Sequence, residues 1–360
     1  MPATLSPVPA ADDRRLCEAA LPHVSRTFAL CIRFLPDELE YSVLVAYLLC
    51  RIADTIEDSA TLGEAEQRRL LAWLRDALSE GDAETGARAG AGPADAAPLE
   101  EAFADAASHD ERLARDAAAV LREHHRLPAA HRDAIRPRVQ EMCDGMAEFV
   151  SGPLRRDPQN PHALRALPDV QSLERYCYFV AGTVGHLLSA LFRQHFRTAD
   201  AERDRRLEEL AASFGLGLQL TNIVKDVTAD RRRGVSFVPE ELCSDAGIDV
   251  ARLTSPAHRP AARQVVLGMT EMARRRLDDA IEYCTWLPRE EYGIRRFCLV
   301  SVFLAARTLA LVPRDPRLLD PDHTVKITRA DVTRTVLVAS AIAPGNLLVR
   351  RYYAALIGAG

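Results

Sequence analysis

Apolar residues recur at intervals of three and four positions over most of this 360-residue chain. That spacing places apolar side chains along one face of an α-helix, whereas the alternation typical of half-buried strands is not sustained over several segments. The sequence therefore predicts an all-α fold, with helices at 16–33, 37–58, 64–79, 100–123, 129–151, 171–195, 201–230, 258–286, 290–312 and 329–357.

The helical pattern is interrupted in a few places. Residues 80–98 are a mixture of Ala, Gly, Asp and Glu with little apolar surface to bury, so we expect a mobile loop there. Residues 1–14 are expected to form an N-terminal tail, and residues 151–168, which contain four prolines, an exposed connection. Because the motifs described below lie on both sides of these breaks and depend on each other, we predict a single all-α domain spanning 1–360.

Composition and charge narrow the class of protein. The chain is 48% hydrophobic and 27% charged, the balance of a globular protein, and its formal net charge is −5. Its basic runs, at 231–233 and 274–276, are too short for a nucleic-acid footprint. The eight cysteines are widely spaced without a CxxC pair, and we interpret them as reduced core thiols. No nucleic-acid partner, zinc site or disulfide framework is expected.

The sequence predicts neither secretion nor a transmembrane span. Residues 1–15 have proline and acids where a secretory signal needs a basic patch followed by an apolar run. The longest apolar runs, 298–312 and 335–349, are interrupted by Arg307 and by Pro344-Gly345, and they fall short of the roughly 20 residues that a span requires. The cytoplasm is the expected compartment.

Two helical segments carry a polar stripe on an otherwise apolar helix. In LVAYLLCRIADTIEDS (44–59), steps of four, three and four separate Tyr47, Arg51, Asp54 and Asp58. In GLGLQLTNIVKDVTAD (215–230), steps of three, four and four separate Gln219, Asn222, Asp226 and Asp230. Side chains at these spacings share one face of a helix.

A single DxxxD pair is weak evidence for a site. With 51 acids in 360 residues, a second acid four positions on arises about one time in seven, and it usually marks a solvated face. Here each pair follows a long apolar helix, where an unpaired carboxylate is costly to bury. Two such stripes facing each other need cations between them. Carboxylate and amide oxygens suit Mg²⁺, which commonly shares its coordination shell with substrate phosphates, and an allylic diphosphate is the substrate whose C–O cleavage this would assist.

Four blocks resemble the squalene/phytoene synthase family, whose members join two prenyl diphosphates head to head. They are SRTFAL (25–30), RIADTIED (51–58), YCYFVAGTVG (176–185) and QLTNIVKDVTAD (219–230). The resemblance extends over about residues 20–335. It implies the helical isoprenoid-synthase fold, with a central cavity flanked by two aspartate-rich helices.

The resemblance also implies roles for individual residues. The implied ligands of Mg²⁺ are Asp54, Asp58, Asn222, Asp226 and Asp230. Diphosphate binding is assigned to Ser25, Arg26, Arg51, Gln219 and Lys225. Catalytic roles fall to Tyr176, in proton removal and cation steering, to Tyr47, a second active-site tyrosine, and to Phe297, which lines the cavity where a cyclopropyl intermediate rearranges. Gly182 and Gly185 are interpreted as points of close helix approach.

Three further stretches are similar to the squalene synthases within this family. They are GMAEF (145–149), RRFCLVSVFLAARTL (295–309) and TVKITRADV (324–332). The third resembles a segment associated with NADPH and implies a cofactor contact at Lys326. The implied reaction condenses two farnesyl diphosphates through presqualene diphosphate to squalene, with Mg²⁺ and NADPH.

The chain departs from the family pattern in ways that keep alternatives open. Where the family usually has Gly-Arg after the second motif, this chain has Gly234-Val235, so one diphosphate contact is lost unless residues 231–233 replace it. Ser301 and Thr328 also depart from the squalene-synthase pattern, which weakens the case for NADPH. The alternatives are a dehydrosqualene, phytoene or presqualene diphosphate synthase that needs no reductant, a non-catalytic helical scaffold, and a lipid-binding protein.

The C-terminal residues, 331–360, allow two interpretations. Their apolar residues, together with Arg350 and Arg351, have the composition of an interfacial helix that could associate peripherally with the inner face of a membrane and release an insoluble product there. The same residues could equally complete the core.

Overall fold

A computed structural model of the protein describes residues 10–79, 97–154, 163–196 and 200–358. These ranges are almost entirely helical, which confirms the predicted fold class. The helices are α1 (Ala10–Val24), α2 (Arg26–Ile32), α3 (Asp37–Asp58), α4 (Glu64–Ala77), α5 (Ala97–Ala102), α6 (His109–Arg115), α7 (Ala117–Arg126), α8 (Ala129–Ser151), α9 (Val170–Cys177), α10 (Thr183–Phe196), α11 (Ala201–Arg232), α12 (Glu240–Asp245), α13 (Arg259–Trp286), α14 (Tyr292–Leu311), α15 (Arg329–Ile342) and α16 (Asn346–Gly358).

Shorter elements join these helices. A π-helical turn, Tyr178–Gly182, connects α9 to α10, and 3₁₀ turns occur at Val250–Arg252, Pro256–His258 and Val312–Arg314. Within the described ranges the only strands are β1 (Arg165–Ala166) and β2 (Val235–Ser236), which pair in parallel.

Several predicted helices are divided by capping residues. Ser25 has an extended backbone, and its hydroxyl accepts a hydrogen bond from the Phe28 N–H (3.1 Å), so predicted helix 16–33 is two helices, α1 and α2. Ser108 and Glu111 form a reciprocal capping box that begins α6 inside predicted helix 100–123. A new helix can begin inside a continuous apolar pattern because the capping side chain accepts hydrogen bonds from backbone N–H groups that the first turn of a helix leaves unpaired.

Other boundaries shift by a few residues. α1 begins at Ala10, within the expected tail, and predicted helix 329–357 is divided into α15 and α16 around Pro344-Gly345. The expected mobile loop lies outside the described residues from 80 to 96, while Ala97 and Pro98 belong to α5. Residues 1–9 of the tail and 155–162 of the proline-rich connection also lie outside the described part of the chain.

The chain divides into two compact units, Met1–Ala147 and Glu148–Gly360. In the first unit α3 is central: it is buried along most of its length and contacts α1, α4, α6 and α7. An ion-pair cluster joins α1 to α7. There Asp13, 2% exposed, accepts hydrogen bonds from Arg122 (2.7 and 2.9 Å) and Arg126 (2.9 Å). Burial alone would raise the pKa of Asp13, but the two guanidinium groups lower it below its ordinary value.

In the second unit α11 packs along α13 and against α10 and the π-helical turn. Two glycines allow this approach. A Cβ atom on Gly185 would lie 2.0 Å from the Ala211 carbonyl oxygen, and one on Gly215 would lie 2.0 Å from the Ala181 carbonyl oxygen. A Cβ on Gly182 would lie 3.0 Å from Cδ1 of Leu216 on α11, and 2.8 Å from the Tyr178 ring of its own turn. The interpretation of Gly182 and Gly185 as points of close helix approach is therefore confirmed.

One segment of the described residues, Tyr292–Arg314, has the length and apolar composition of a membrane-crossing helix. Of its most apolar 18-residue window, 72% is buried inside the protein. A buried core helix has the same composition, so this segment does not by itself indicate a transmembrane span.

A fully buried arginine organises the C-terminal helices. Arg295, near the start of α14, donates hydrogen bonds to the carbonyl oxygens of Cys284 (2.8 Å), Leu287 (2.6 Å) and Ala343 (2.6 Å), and to Oδ1 of Asn346 (2.6 Å). Burial lowers its pKa. Because these carbonyls belong to the C-terminal ends of α13 and α15, where helix dipoles are negative, they compensate the charge without a carboxylate.

Replacing Arg295 with Leu should therefore lower the free energy of unfolding by about 2–4 kcal/mol, since it leaves several buried acceptors unpaired. Chemical denaturation followed by far-UV circular dichroism measures the change. Arg289→Leu, at an exposed position between α13 and α14, serves as the control and should have a small effect. Equal stability of the two variants would contradict the organising role of Arg295.

Candidate functional site

The first polar stripe lies at the C-terminal half of α3, where Arg51 stands between two carboxylates. Its Nε donates a hydrogen bond to Oδ1 of Asp110 on α6 (2.8 Å), and its Nη1 lies 3.6 Å from Oδ2 of Asp54. Each of these three side chains keeps about a third of its surface exposed. Asp110 was not among the residues predicted from the sequence, because nothing in its neighbourhood marks it.

The surroundings of Asp54 in this stripe alter its ionisation. Burial of its carboxyl group raises its pKa to about 7, the nearby charges of Asp58 and Asp110 act in the same direction, and Arg51 opposes them. The side chain is still 34% exposed. Asp54 is thus an incompletely compensated acid that remains open to a cation from solution.

Asp58 is exposed at the last position of α3. The end of this helix is fixed by Gln67, whose Nε2 donates hydrogen bonds to the carbonyl oxygens of Ile56 (3.0 Å) and Glu57 (2.6 Å). Both acids of the first motif are therefore carried by a helix end of defined geometry.

Tyr47 and Ser25 lie together at the same face of the first unit. The Tyr47 ring stacks on Phe28 with centroids 5.5 Å apart, and the Ser25 side chain is close enough to the phenol to influence its pKa. Burial raises the pKa of this phenol, whereas the Ser25 side chain opposes the rise. Ser25 caps α2, so its hydroxyl has a structural function, and its role in diphosphate binding stays a prediction. The side chain of Arg26 lies outside the described part of the structure.

The second polar stripe lies on the C-terminal half of α11. Asn222 is exposed, Gln219 and Asp226 are half-buried, and Asp230 is buried. Lys225 forms an ion pair with Asp226, and Arg233 donates a hydrogen bond to Oδ1 of Asp230 (2.6 Å). In the second unit each acid of the motif therefore has a basic side chain beside it.

The side chains of arginines 231–233 point in different directions and bind different partners. Arg231 donates hydrogen bonds to the carbonyl oxygens of Val250 (2.6 Å) and Ala251 (2.7 Å), and Arg232 donates to that of Pro321. Of these three arginines, Arg233 is the one that donates its hydrogen bond to an acid of the motif. Val235 is buried in β2, just after Gly234 ends α11 in a left-handed conformation (φ +75°).

Tyr176 is buried in an aromatic cluster of the second unit. Its ring stacks on Phe237, with centroids 4.8 Å apart, and meets Phe149 edge to face at 5.3 Å. It precedes the π-helical turn at Tyr178–Gly182, a distortion that is frequent at functional sites. Phe297, on α14, is buried and packs edge to face against Phe192 (5.9 Å).

Lys326 lines a cavity of about 320 Å³ together with Leu311, Arg314, Asp315, His323, Thr324 and Val325. Nε2 of His323 lies 2.6 Å from Oδ2 of Asp315. The segment that carries Lys326 is tied to the second acidic helix, because the Thr228 hydroxyl donates a hydrogen bond to the His323 carbonyl oxygen (2.6 Å).

The donor sets of both stripes contain oxygen and no sulfur. All eight cysteines are buried and free, as the sequence predicts. Among the residues that the structure describes, no group of three His, Cys, Asp or Glu side chains could hold a metal ion by itself. Pairs of carboxylates on helices, with an exposed amide beside the second pair, fit Mg²⁺, which retains waters and accepts phosphate oxygens as its remaining ligands.

Comparison with known proteins gives consistent matches. The squalene/phytoene synthase family pattern matches residues 21–331. The squalene synthase of Schizosaccharomyces pombe is 29% identical over 323 residues, which cover 90% of this chain and 64% of that protein. The human squalene synthase is 25% identical over 339 residues, covering 94% of this chain and 72% of that protein. The chain thus spans about two thirds of the length of these relatives.

Solved structures share the fold. A complex of TcSQS with the ligand BPH1237 superposes with a TM-score of 0.77 at 24% identity, covering 97% of this chain and 92% of that one. A dehydrosqualene synthase complex superposes with a TM-score of 0.60 at 18% identity, covering 92% of this chain and 96% of that one. These neighbours confirm the predicted helical isoprenoid-synthase fold.

The raised pKa of Asp54 predicts a pH-dependent stability. Because the folded pKa, about 7, exceeds the ordinary value of 3.8, the folded state binds this proton more tightly than the unfolded chain does. The corresponding stability is fully present below pH 3.8 and is lost as the pH rises through about 7. Asp54→Asn should therefore raise the melting temperature of the metal-free protein at pH 8 more than at pH 5.

Thermal unfolding in the presence of EDTA at both pH values measures this difference. Asp105→Asn, which alters an exposed acid of the same unit, should give no such pH-dependent gain. A gain for Asp54→Asn that is the same at pH 5 and pH 8 would contradict the altered ionisation of Asp54.

Proposed function

Because this chain belongs to the squalene/phytoene synthase family, we propose that it condenses two farnesyl diphosphates head to head through presqualene diphosphate to squalene. One observation carries the proposal. In each compact unit an acidic pair at the C-terminal part of a largely apolar helix stands beside a basic side chain, Arg51 in the first unit and Lys225 in the second. The acids can bind the metal ion of a metal diphosphate, and the basic side chain can neutralise the negative charge of the diphosphate as it leaves.

The acids that would hold Mg²⁺ are those of the two stripes, with the amide of Asn222. When bound, the metal would stabilise the negative charge that develops on the departing diphosphate. Arg51 and Lys225 would donate hydrogen bonds to phosphate oxygens. The forked guanidinium group of Arg51 is well suited to this because it can donate two parallel bonds. Asp230 is paired with Arg233, so binding of a cation by Asp230 requires that this pair be shared or exchanged.

The aromatic cluster around Tyr176 supports a role in the cationic stage. Aromatic faces attract a nearby positive charge, and exclusion of water protects a carbocation from premature capture. Tyr176, stacked on Phe237, offers both a ring face and a phenol oxygen, and Phe297 adds apolar surface in the same unit. The phenol oxygen is the proposed acceptor for the proton that is lost when the cyclopropane ring closes, and the phenol passes its own proton to the released diphosphate.

The proposed reaction ends in a reduction, for which we propose NADPH as the hydride donor. Lys326 and Arg314 share one cavity, and their two cationic groups suit the phosphates of a dinucleotide. Two departures from the squalene-synthase pattern have local structural functions instead: Thr328 caps α15 with Asp331, and the Ser301 hydroxyl donates a hydrogen bond to the Phe297 carbonyl oxygen (3.1 Å). A synthase that needs no reductant is the competing proposal.

Incubation of the purified protein with farnesyl diphosphate and Mg²⁺ should yield presqualene diphosphate without NADPH and squalene with it, as identified by mass spectrometry. Asp54→Asn and Asp226→Asn should each lower turnover at least roughly a hundredfold, because each removes charge that acts chiefly in the transition state.

The matched controls are Asp105→Asn and Asp245→Asn, which alter exposed acids of the first and second units. Near-normal turnover of either motif variant would refute the two-motif mechanism. A product that is the same with and without NADPH would identify a reductant-independent synthase, and the absence of any product would favour a scaffold or a lipid-binding protein.

We further propose that the α15–α16 hairpin docks on an anionic membrane surface. The three most exposed large apolar side chains in the described residues belong to it: Leu337 (66%), Leu347 (63%) and Leu348 (52%). Val349 and Tyr353 of the same hairpin are buried, so α16 has one face in the core and another in solvent. Both interpretations of the C-terminal sequence therefore receive support, each for a different face.

Charge favours a lipid surface as the partner of this face. The two helices, residues 329–358, contain four arginines, at 329, 334, 350 and 351, and one acid, Asp331. Each arginine near an anionic bilayer contributes roughly 1 kcal/mol, and full burial of a leucine side chain contributes about 1.5–3 kcal/mol. Their sum is enough for reversible association, which suits a protein whose proposed product is nearly insoluble in water.

Flotation with vesicles that contain anionic lipid should recover a bound fraction that falls with added salt. The fraction should fall further when Leu337, Leu347 and Leu348 are replaced together by Ser, or Arg350 and Arg351 by Ala. Leu311→Ser, at a less exposed apolar position (37%), should leave it unchanged. Binding that is absent, or that is indifferent to salt and to these changes, would contradict membrane docking, and self-association that the leucine changes abolish would identify a second copy as the partner.

A further inference from the structure

The strongest contact of Arg51 is with an acid outside the motif that carries it. Its Nε is 2.8 Å from Oδ1 of Asp110, whereas its Nη1 is 3.6 Å from Oδ2 of Asp54. The second distance is too long for a hydrogen bond. Asp110 therefore determines the orientation of the guanidinium group, although it lies 59 residues away along the chain.

The position of Asp110 is itself fixed by local structure. The Ser108 hydroxyl accepts a hydrogen bond from the Glu111 N–H (3.1 Å), and the Glu111 carboxylate accepts one from the Ser108 N–H (2.8 Å). The neighbouring His109 ring stacks on His23 with centroids 4.4 Å apart. Since α6 also packs against α3, the Asp110 carboxylate is held at a set place beside the acidic helix.

This arrangement has a consequence for the remaining donors of Arg51. A guanidinium group is planar and carries five N–H donors, and Asp110 occupies the Nε edge. The Nη groups are left on the side of Asp54. Without Asp110 the long side chain could approach Asp54 and form a closed ion pair, which would occupy both the donors that a phosphate needs and the carboxylate that a metal needs.

We propose that Asp110 is a positioning residue that holds Arg51 away from a closed pair with Asp54, so that both groups stay available to a metal diphosphate. The inference rests on the proposed function, because it assumes that Arg51 and Asp54 act on a diphosphate. It adds a residue on a different helix to the machinery, and it assigns that residue no direct contact with substrate.

A double-mutant cycle with Asp110→Asn and Arg51→Gln tests the inference. The dissociation constant of inorganic pyrophosphate in the presence of Mg²⁺ is measured by calorimetry, and kcat and KM are measured with farnesyl diphosphate. Asp110→Asn should weaken pyrophosphate binding and lower kcat/KM about tenfold in the native background, but less than about twofold in the Arg51→Gln background, the signature of coupled residues. Asp110→Glu, which keeps the charge, should restore most of the loss.

Asp144→Asn is the matched control, because it removes an exposed ion pair with Arg75 (2.9 Å) in the same unit, and it should change neither quantity. Equal losses for Asp110→Asn in both backgrounds would overturn the inference in favour of a purely structural role. Tighter pyrophosphate binding by Asp110→Asn would overturn it too, since Asp110 would then be a competitor for Arg51. Failure of the unaltered protein to bind pyrophosphate or to turn over farnesyl diphosphate would instead count against the proposed function.

Discussion

Carboxylates carried by buried helices need compensating positive charge, and the degree of compensation differs between the acids of this protein. Asp13 receives hydrogen bonds from two arginines, and its pKa is lowered. Asp54 has one arginine, at 3.6 Å, which is held mainly by another acid, and its pKa is raised to about 7. The first arrangement stabilises contact between α1 and α7. The second leaves a partly buried acid that an added cation would stabilise, and such an unfavourable ionisation is characteristic of functional sites.

A buried cation without a carboxylate partner also needs its charge compensated. Arg295 is completely buried, yet three carbonyl oxygens at helix ends and the Asn346 amide accept hydrogen bonds from four of its five donors. The guanidinium group thereby caps the C-terminal ends of both α13 and α15. In the first unit the guanidinium of Arg51 has carboxylates as partners and remains accessible to solvent. The two arginines thus differ in what they can still bind: four of the five donors of Arg295 are occupied within the protein, while Arg51 keeps donors for an incoming anion.

The features of this arrangement that depend on residues close together in the chain could be predicted from the sequence, whereas those that depend on distant residues could not. The bounds of α3 and α8 agree with the apolar periodicity, and both polar stripes lie on the predicted helices. The helix breaks at Ser25 and Ser108 were also open to prediction, since Ser108 and Glu111 have the spacing of a capping box. The pairing of Arg51 with Asp110 was not, because periodicity reports only which residues share a helix face and carries no information on a partner 59 residues away. The same limit applies to the acceptors of Arg295.

The departure at Val235 shows how backbone geometry constrains the placement of charge. Three successive residues on a helix point about 100° apart, so the arginines at 231–233 cannot all reach one acid, and two of them bind backbone carbonyls elsewhere in the unit. Val235 is buried in β2, where it pairs with Arg165 of β1, and an arginine side chain in this buried orientation would be costly to desolvate. Arg233, the last of the run, lies before the left-handed turn at Gly234 and pairs with Asp230. A cation is therefore retained beside the second acidic pair, although the position at which the family usually carries it is apolar in this chain.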